Sequence, residues 1–405
     1  MRLHGLKFWS RWSLTNSVDV VVVGGGSIGT SVAYFLSKEN RKVRLFERRE
    51  LASEASSANF GGAPMQTTEC PDLTIESAQM FENLAEELEC DFELEHTGSY
   101  LLMDNENTRP MIEANAKEMS KFGIHADMLS GKEVREIDPD ISSDVIGGSR
   151  CTDGMIVNPM KLVYGYATAA RKLGTVIDTY TDVSGVRTEN GKIKSVVTSK
   201  EEIETKTVVI ATGSWSSILG EKLNLRIPVV PRRGQILITE PFKMGKIRYM
   251  IDADYLVTGF DLEAVKKSQD PRIKLGVSSV LTQPSHGNWL IGGSRDFPGY
   301  DKRTTLEILT QIAKRAIKFF PKLKHANIIR AMAGLRPFCS DGLPIISKVD
   351  EIKGLVIATG HHGEGMALSP ITGRLVAELI TKDRTSLPID RYSYNRFSDK
   401  DQTKE

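Results

Sequence analysis

The chain lacks most of the features that would assign it quickly. It has four cysteines, Cys70, Cys90, Cys151 and Cys339, with no C-x-x-C pair and no metal-ligand spacing, so neither a disulfide framework nor a metal or iron–sulfur site is written into it. Free thiols in a reducing compartment are expected. No apolar run approaches the about 20 residues needed to cross a bilayer, so no membrane span is expected. Neither sign of charge dominates: 53 Lys and Arg face 52 Asp and Glu, which leaves no overall field to recruit nucleic acid. There is no internal repeat, no low-complexity tract, and no Ser-His-Asp or paired-carboxylate constellation. Acids are missing from residues 1–17, MRLHGLKFWSRWSLTNS, as is the apolar core of a secretory signal. A minor extension ahead of the fold is expected there, with a transit peptide or a docking arm for a partner or a membrane surface as alternatives. A soluble enzyme of two domains, cytoplasmic by default and organellar or membrane-surface in the alternative, fits the 405 residues.

What is present is a strand that runs straight into glycine. Val20 to Gly29 reads VVVVGGGSIG, a buried strand leading into Gly24-x-Gly26-x-x-Gly29, and an amphipathic helix follows over Thr30 to Ser37. Gly24 permits the tight turn, Gly26 lets the backbone approach a pyrophosphate, and Gly29 lets the helix pack close to the strand. The helix N-terminus, with Ser27 and Ile28, then turns its free amides to the phosphates. The next strand, from Val43, ends in Glu47, placed to accept hydrogen bonds from the adenosine ribose hydroxyls, and Arg48 follows. An acid there argues against a 2′-phosphate, and so against NADP. This is a dinucleotide-binding βαβ unit.

Three downstream signals favour FAD over NAD. Residues 52–62, ASEASSANFGG, put small residues directly after Glu47. Such a run suits backbone wrapped closely around a ligand, with Ser56, Ser57 and Asn59 offering hydrogen bonds and Gly61 and Gly62 closing the loop. Far along the chain a second buried strand ends in Ala211-Thr212-Gly213, just before Trp215. A third strand, from Gly354, ends in Gly360-His361-His362-Gly363-Glu364-Gly365-Met366 ahead of a helix over Ser369 to Thr381. Strand, turn and helix again place amides where partial negative charge is stabilised, here that of a reduced isoalloxazine.

In this order, and with Gly334-Leu335-Arg336-Pro337 between the last two, the motifs resemble the D-amino-acid oxidase superfamily of flavoproteins over residues 18 to about 395. Within it the chain is most similar to the branch of glycine oxidase, the sarcosine oxidase β-subunit, the proline and hydroxyproline dehydrogenase β-subunits, the opine oxidases and a hydrogen cyanide synthase subunit. The resemblance implies an α/β fold: a Rossmann-like FAD-binding domain of the glutathione-reductase type with an antiparallel-sheet substrate domain. It implies non-covalent FAD, touched also by Val183 and Gly334. It gives Arg336 the guanidinium that fixes a substrate carboxylate, a rigid fork suited to bidentate contact; an ion pair with Asp341 is the competing use. Glycine oxidase has a further arginine where this chain has Gly363, which weakens glycine as substrate and leaves space for a bulkier group. Several similar β-subunits work with an α-subunit and a small iron–sulfur protein, sometimes with FMN at the junction. The segment 153–159 here lacks the histidine that carries the second flavin in sarcosine oxidase, so FMN is expected only at an interface with a partner subunit. Electrons would leave to oxygen or to such a partner.

The FAD-binding domain is expected to be discontinuous, residues 18–95, 145–225 and 326–395, with 96–144 and 226–325 forming the substrate domain and 396–405 a polar tail. Strands are expected over Gly98 to Asp104, Arg232 to Thr239, Tyr255 to Phe260, Gly276 to Thr282 and Asn288 to Gly292, and a helix over Asn107 to Phe122. Tyr255 and Arg295, on roof strands, are candidate substrate contacts, while Arg232 and Arg233 are expected at an interface or a solvated strand end. His361, His362 or Glu364 would touch the flavin or the substrate nitrogen, with Glu364 able to stabilise a cationic imine. The expected reaction oxidises a small amino or imino acid: a hydride leaves the α-carbon of the neutral amine for flavin N5, and water hydrolyses the imine. Two alternatives stand beside it. One is a 2-hydroxy-acid dehydrogenase with His361 or His362 as base; the other is an assembly factor that keeps the flavin fold without catalysis.

Overall fold

The computed structural model describes residues 17–397, so the N-terminal arm through Asn16 and the tail beyond Phe397 lie outside the described residues. Val20 to Val23 close the first strand, Ser17–Val23, and all four are buried. Val20 and Val22 pack in one core layer with the helices Ser27–Lys38, Pro159–Lys172 and Ser369–Thr381. Val21 and Val23 face a second layer with Ile210, Leu219 and Ile357. A strand covered on both faces must be apolar throughout, which is why it reads as a continuous hydrophobic run. Five strands run parallel in the order Val176–Asp178, Val43–Phe46, Ser17–Val23, Glu202–Ile210 and Leu355–Thr359. At their carboxyl ends Val23, Phe46, Ala211 and Thr359 reach a large cleft, as the doubly wound arrangement requires of its ligand site.

A second sheet of eight strands follows the order Ile328–Cys339, Val229–Pro241, Asn288–Gly292, Val280–Thr282, Tyr249–Asp252, Ser99–Met103, Gly147–Cys151 and Asp127–Ser130. Its pairings are antiparallel except that Tyr249–Asp252 runs parallel to Ser99–Met103. Alternation along the strands sorts the faces. Ile236, Tyr249 and Ile251 line the cleft, whereas Leu237, Met250 and Leu281 share a core with the helix Leu306–Phe319. Two strands within the segments expected for the FAD-binding domain, Gly147–Cys151 and Ile328–Cys339, pair in this second sheet.

Several local expectations change. Tyr255–Phe260 is a short helix, not a strand; a six-residue apolar stretch carries no period that separates the two. Gly276 adopts φ +65° in a turn, so the strand begins only at Val280. Arg232 and Arg233 are neither solvated nor at a strand end: both are buried inside Val229–Pro241. Arg396, expected in the tail, ion-pairs with Asp341 at 2.7 Å, which removes Asp341 as a partner for Arg336. The four cysteines are free thiols. Among the described residues no helix is long and apolar enough to cross a membrane.

A buried ion network ties the helix Leu306–Phe319 to the second sheet. Arg315 donates to both oxygens of Asp252, at 2.7 and 2.8 Å, and to both oxygens of Asp104. Burial alone would raise the Asp104 carboxyl, but hydrogen bonds from Arg315 and Lys318 overcome it and hold the group at about 2. Removing the cation strands buried carboxylates, so Arg315→Met is expected to cost about 3–5 kcal/mol, read from urea unfolding. A depressed carboxyl stabilises the fold above its unfolded value near 3.9 and ceases to as pH falls towards 2. Wild-type stability should therefore decline between about pH 4 and pH 2 more steeply than that of the variant; equal acid dependence would contradict the assignment.

Candidate functional site

One cleft, about 2470 Å³ with its open mouth, runs from the end of the first strand to the roof of the second sheet. Its first half is built mainly from backbone. A Cβ at Gly29 would lie 1.9 Å from the Gly24 carbonyl oxygen, so only glycine lets the helix start so close to the strand. The first intrahelical bond is Thr30 N to Gly26 O, leaving earlier amides for other acceptors. The Ser27 amide donates to Ser56 Oγ at 3.0 Å, which pins the small-residue loop over the helix N-terminus. Asn59 is spent on the loop itself: its amide donates to Ala55 O and Ser56 O, and its Oδ1 accepts from Gly61 N. Glu47 accepts from the Gly25 and Arg49 amides at 2.7 and 2.8 Å, which fixes the carboxylate while leaving it further lone pairs. Arg48 stacks over Trp215 at 4.1 Å, and Trp215 meets Tyr300 at 5.5 Å between ring centroids. Arg48, Trp215 and Val183 line this part of the cleft.

The other half is built from side chains and is strongly cationic. Strands Val229–Pro241 and Ile328–Cys339 pair in a register that sets Arg232 opposite Arg336. Arg336 lies over Gly234, where a Cβ would meet its Nη1 at 2.2 Å, and its Nη1 donates to Ser294 O. Arg295 stacks on Tyr255 at 4.2 Å and donates to Thr258 Oγ1 and Ser278 Oγ. Arg232, 1 % exposed, donates to the Thr258 and Gly259 carbonyls and to His362 Nε2 at 3.1 Å. Burial and the neighbouring guanidinium groups lower Arg232 to about 9 and Arg336 to about 10.

The C-terminal glycine turn closes this end. His362 holds a left-handed backbone, φ +49°, and its amide donates to Pro337 O, which keeps the turn against Arg336. Burial, then Arg232, Arg336 and Arg295, push its imidazole well below the ordinary value. His361, paired with Thr372 Oγ1, is lowered to about 3 by burial. Both rings are thus neutral and poor proton acceptors. Glu364 is different: burial raises it to about 7, against hydrogen bonds from Thr68 Oγ1 at 2.6 Å and the Glu69 amide at 3.0 Å.

Most residues anticipated from the sequence come together on this wall. Gly24, Gly26, Ser27, Ile28, Glu47, Arg48, Ser56, Asn59, Gly61, Gly62, Val183 and 211–213 line it, as do Trp215, Gly334, Arg336, Tyr255, Arg295, His361, His362 and 363–366. Three do not. Gly29 stands behind Gly24, Ser57 turns back to Glu54 O, and Gly360 forms a φ +79° turn against Cys339. Tyr255 reaches the wall from a helix, and Arg295 from the segment after Asn288–Gly292. The sequence reading missed Tyr249, whose ring packs where a Gly62 side chain would be, and Thr67 and Thr68. Only the alternation Tyr249-Met-Ile251 hinted at the first; nothing local marks the threonines.

The family described as "FAD dependent oxidoreductase" (DAO) matches residues 19–379. Glycine oxidase of Geobacillus kaustophilus is 28 % identical over 95 % of this chain and 98 % of its own. The hydrogen cyanide synthase subunit HcnC of Pseudomonas protegens is 27 % identical over 94 % and 96 %. Among solved structures, L-proline dehydrogenase from P. horikoshii superposes with a TM-score of 0.84 at 29 % identity, covering 95 % of this chain and 99 % of that one. The cleft fits FAD: an open helix N-terminus faces Glu47 across the glycine turn, and Thr67 Oγ1, on the wall, is buried without a hydrogen-bond partner among the described residues.

Glu47→Ala removes one charged acceptor and is expected to weaken FAD binding by about 10- to 100-fold, measured by flavin fluorescence titration; undiminished affinity would remove the residue from the site. A protonated-carboxyl infrared band is expected to titrate near pH 7 and to vanish in Glu364→Gln. A band already lost by about pH 5 would contradict the burial described.

Proposed function

The chain belongs to the DAO family of FAD dependent oxidoreductases, and on that premise we propose that it oxidises the carbon–nitrogen bond of a small amino or imino acid. The observation that carries this reading is Arg336: a guanidinium on the cleft wall, bonded to a single carbonyl oxygen and to no carboxylate among the described residues. It would grip the substrate carboxylate and hold the α-carbon in one orientation. FAD, when bound, supplies the hydride acceptor. Tyr249, Tyr255 and Ile251 give the substrate an apolar wall that keeps out water. Glu364, poised near neutrality, would take the proton that an ammonium substrate must shed before oxidation and then face the cationic imine. The low basicity of His361 and His362 counts against either as the base that oxidation of a 2-hydroxy acid would require. Similarity to a protein that is by name a synthase subunit supports a partner protein for this chain.

Anaerobic mixing with sarcosine, L- and D-proline, glycine, D-alanine and 2-hydroxyglutarate tests the reading through loss of the flavin's visible absorbance. Bleaching by an amino or imino acid is expected, and Arg336→Met should lower reduction efficiency by about 10- to 100-fold, the value of a charge-assisted bidentate contact. Bleaching by the hydroxy acid alone would overturn it.

A further inference from the structure

Arg232 is more deeply buried than Arg295 or Arg336, and it makes no ion pair among the described residues. Burying a guanidinium in this way is costly. What it touches is the Thr258 and Gly259 carbonyls and, through Nη1 at 3.1 Å, His362 Nε2. A guanidinium has only donors, so Nε2 must accept. Burial and the neighbouring guanidinium groups keep the ring neutral, and its one proton therefore sits on Nδ1. Phe338, edge-on to the ring at 5.2 Å between centroids, and the left-handed backbone of His362, φ +49°, hold this orientation. Nδ1 has no partner among the described residues and is not one of the polar atoms sealed from water without one. It opens onto the cleft that His362 lines.

The free edge of Arg336 lies beside it. Arg336 Nη1 is spent on Ser294 O, while Nε and Nη2 have no partner among the described residues. The glycine turn runs along that edge: the His362 amide donates to Pro337 O, and a Cβ at Gly363 would be 3.9 Å from Arg336 Nε. Nδ1 is the ring nitrogen nearer the backbone, so it stays by this turn while Nε2 reaches back to Arg232. We propose that His362 donates Nδ1–H to the substrate carboxylate held by Arg336, and that Arg232 is the positioning residue that fixes the tautomer. The proposal rests on the carboxylate role given to Arg336 above. A carboxylate, with about four lone-pair sites, can accept from both groups. A neutral donor suits the place, because another cation would be repelled by Arg232, Arg336 and Arg295. The competing use of Arg232 is structural, as the cap on the carbonyls of Tyr255–Phe260; the competing acceptor for Nδ1–H is FAD.

(Methylthio)acetate carries the carboxylate without an amine, and calorimetry reads its affinity for the FAD-loaded protein. His362→Phe keeps a ring against Phe338 and removes the donor; affinity is expected to fall about 10- to 100-fold, the value of a hydrogen bond to a charged group. An Asn amide nitrogen can stand where Nδ1 stands, and Asn tolerates the left-handed backbone. His362→Asn should therefore keep most of the affinity, whereas His362→Gln, whose amide reaches the Nε2 position, should not. Nitrogen NMR of isotope-labelled histidine should show the wild-type His362 ring, identified as the signal lost in His362→Asn, protonated at Nδ1 alone. Arg232→Met should mix the tautomers, and Arg232→Lys, which still donates, should retain Nδ1–H. A single Nδ1–H tautomer persisting in Arg232→Met would leave Arg232 a structural cap and overturn its positioning role. An Nε2–H ring in wild type, undiminished affinity in His362→Phe, or a loss of FAD affinity without loss of carboxylate affinity overturns the inference while leaving Arg336 as the carboxylate site. Undiminished affinity in Arg336→Met would instead sink the carboxylate reading itself, and this inference with it.

Discussion

The pairing of Val229–Pro241 with Ile328–Cys339 places Arg232 against Arg336 and Gly234 against Gly334 in one unbroken stretch of register. Much of the inner cleft follows from that stretch. Gly234 leaves the hollow that Arg336 fills, and Arg232 accepts burial by capping the carbonyls of the short helix Tyr255–Phe260. The same arginine donates to His362 Nε2, which holds that ring neutral and sets its tautomer. A one-residue slip would turn these side chains to the opposite face and dismantle the site. The sheet therefore carries a local electrostatic penalty where Arg232 stands against Arg336.

The two halves of the cleft solve different problems. A pyrophosphate is met by backbone, because amides at a helix N-terminus bring partial positive charge without the bulk or desolvation cost of side chains. That half needs close approach, hence Gly29 against Gly24, and a fixed acid, hence Glu47 held by the Gly25 and Arg49 amides. On the proposed function, a small acid would be met by side chains whose charge is concentrated by burial. Glu364 lines the same wall as His361 and His362 with a carboxyl that can change state near neutral pH, whereas the two imidazoles are held neutral.

Legibility in the sequence followed the range of the interaction. The glycine turn, Glu47 and the Ala-Thr-Gly strand end were readable because spacing along the chain determines their geometry. Arg336 was readable through the resemblance carried by its neighbours. Arg232 was expected at an interface or a solvated strand end, since an arginine pair in a largely apolar strand gives no local sign that its groups will be satisfied by carbonyls 26 and 27 positions away. Tyr255–Phe260 was taken for a strand because so short an apolar segment owes its shape to tertiary packing. Tyr249, Thr67 and Thr68 reach the wall only once two sheets are brought together.

The most direct measurement is a crystal structure of the FAD-loaded protein with (methylthio)acetate, which carries no amine to oxidise, in the cleft. The account predicts FAD along the wall from Glu47 to Gly365 and the carboxylate forked on the Arg336 guanidinium. A carboxylate bound away from Arg336 would contradict it.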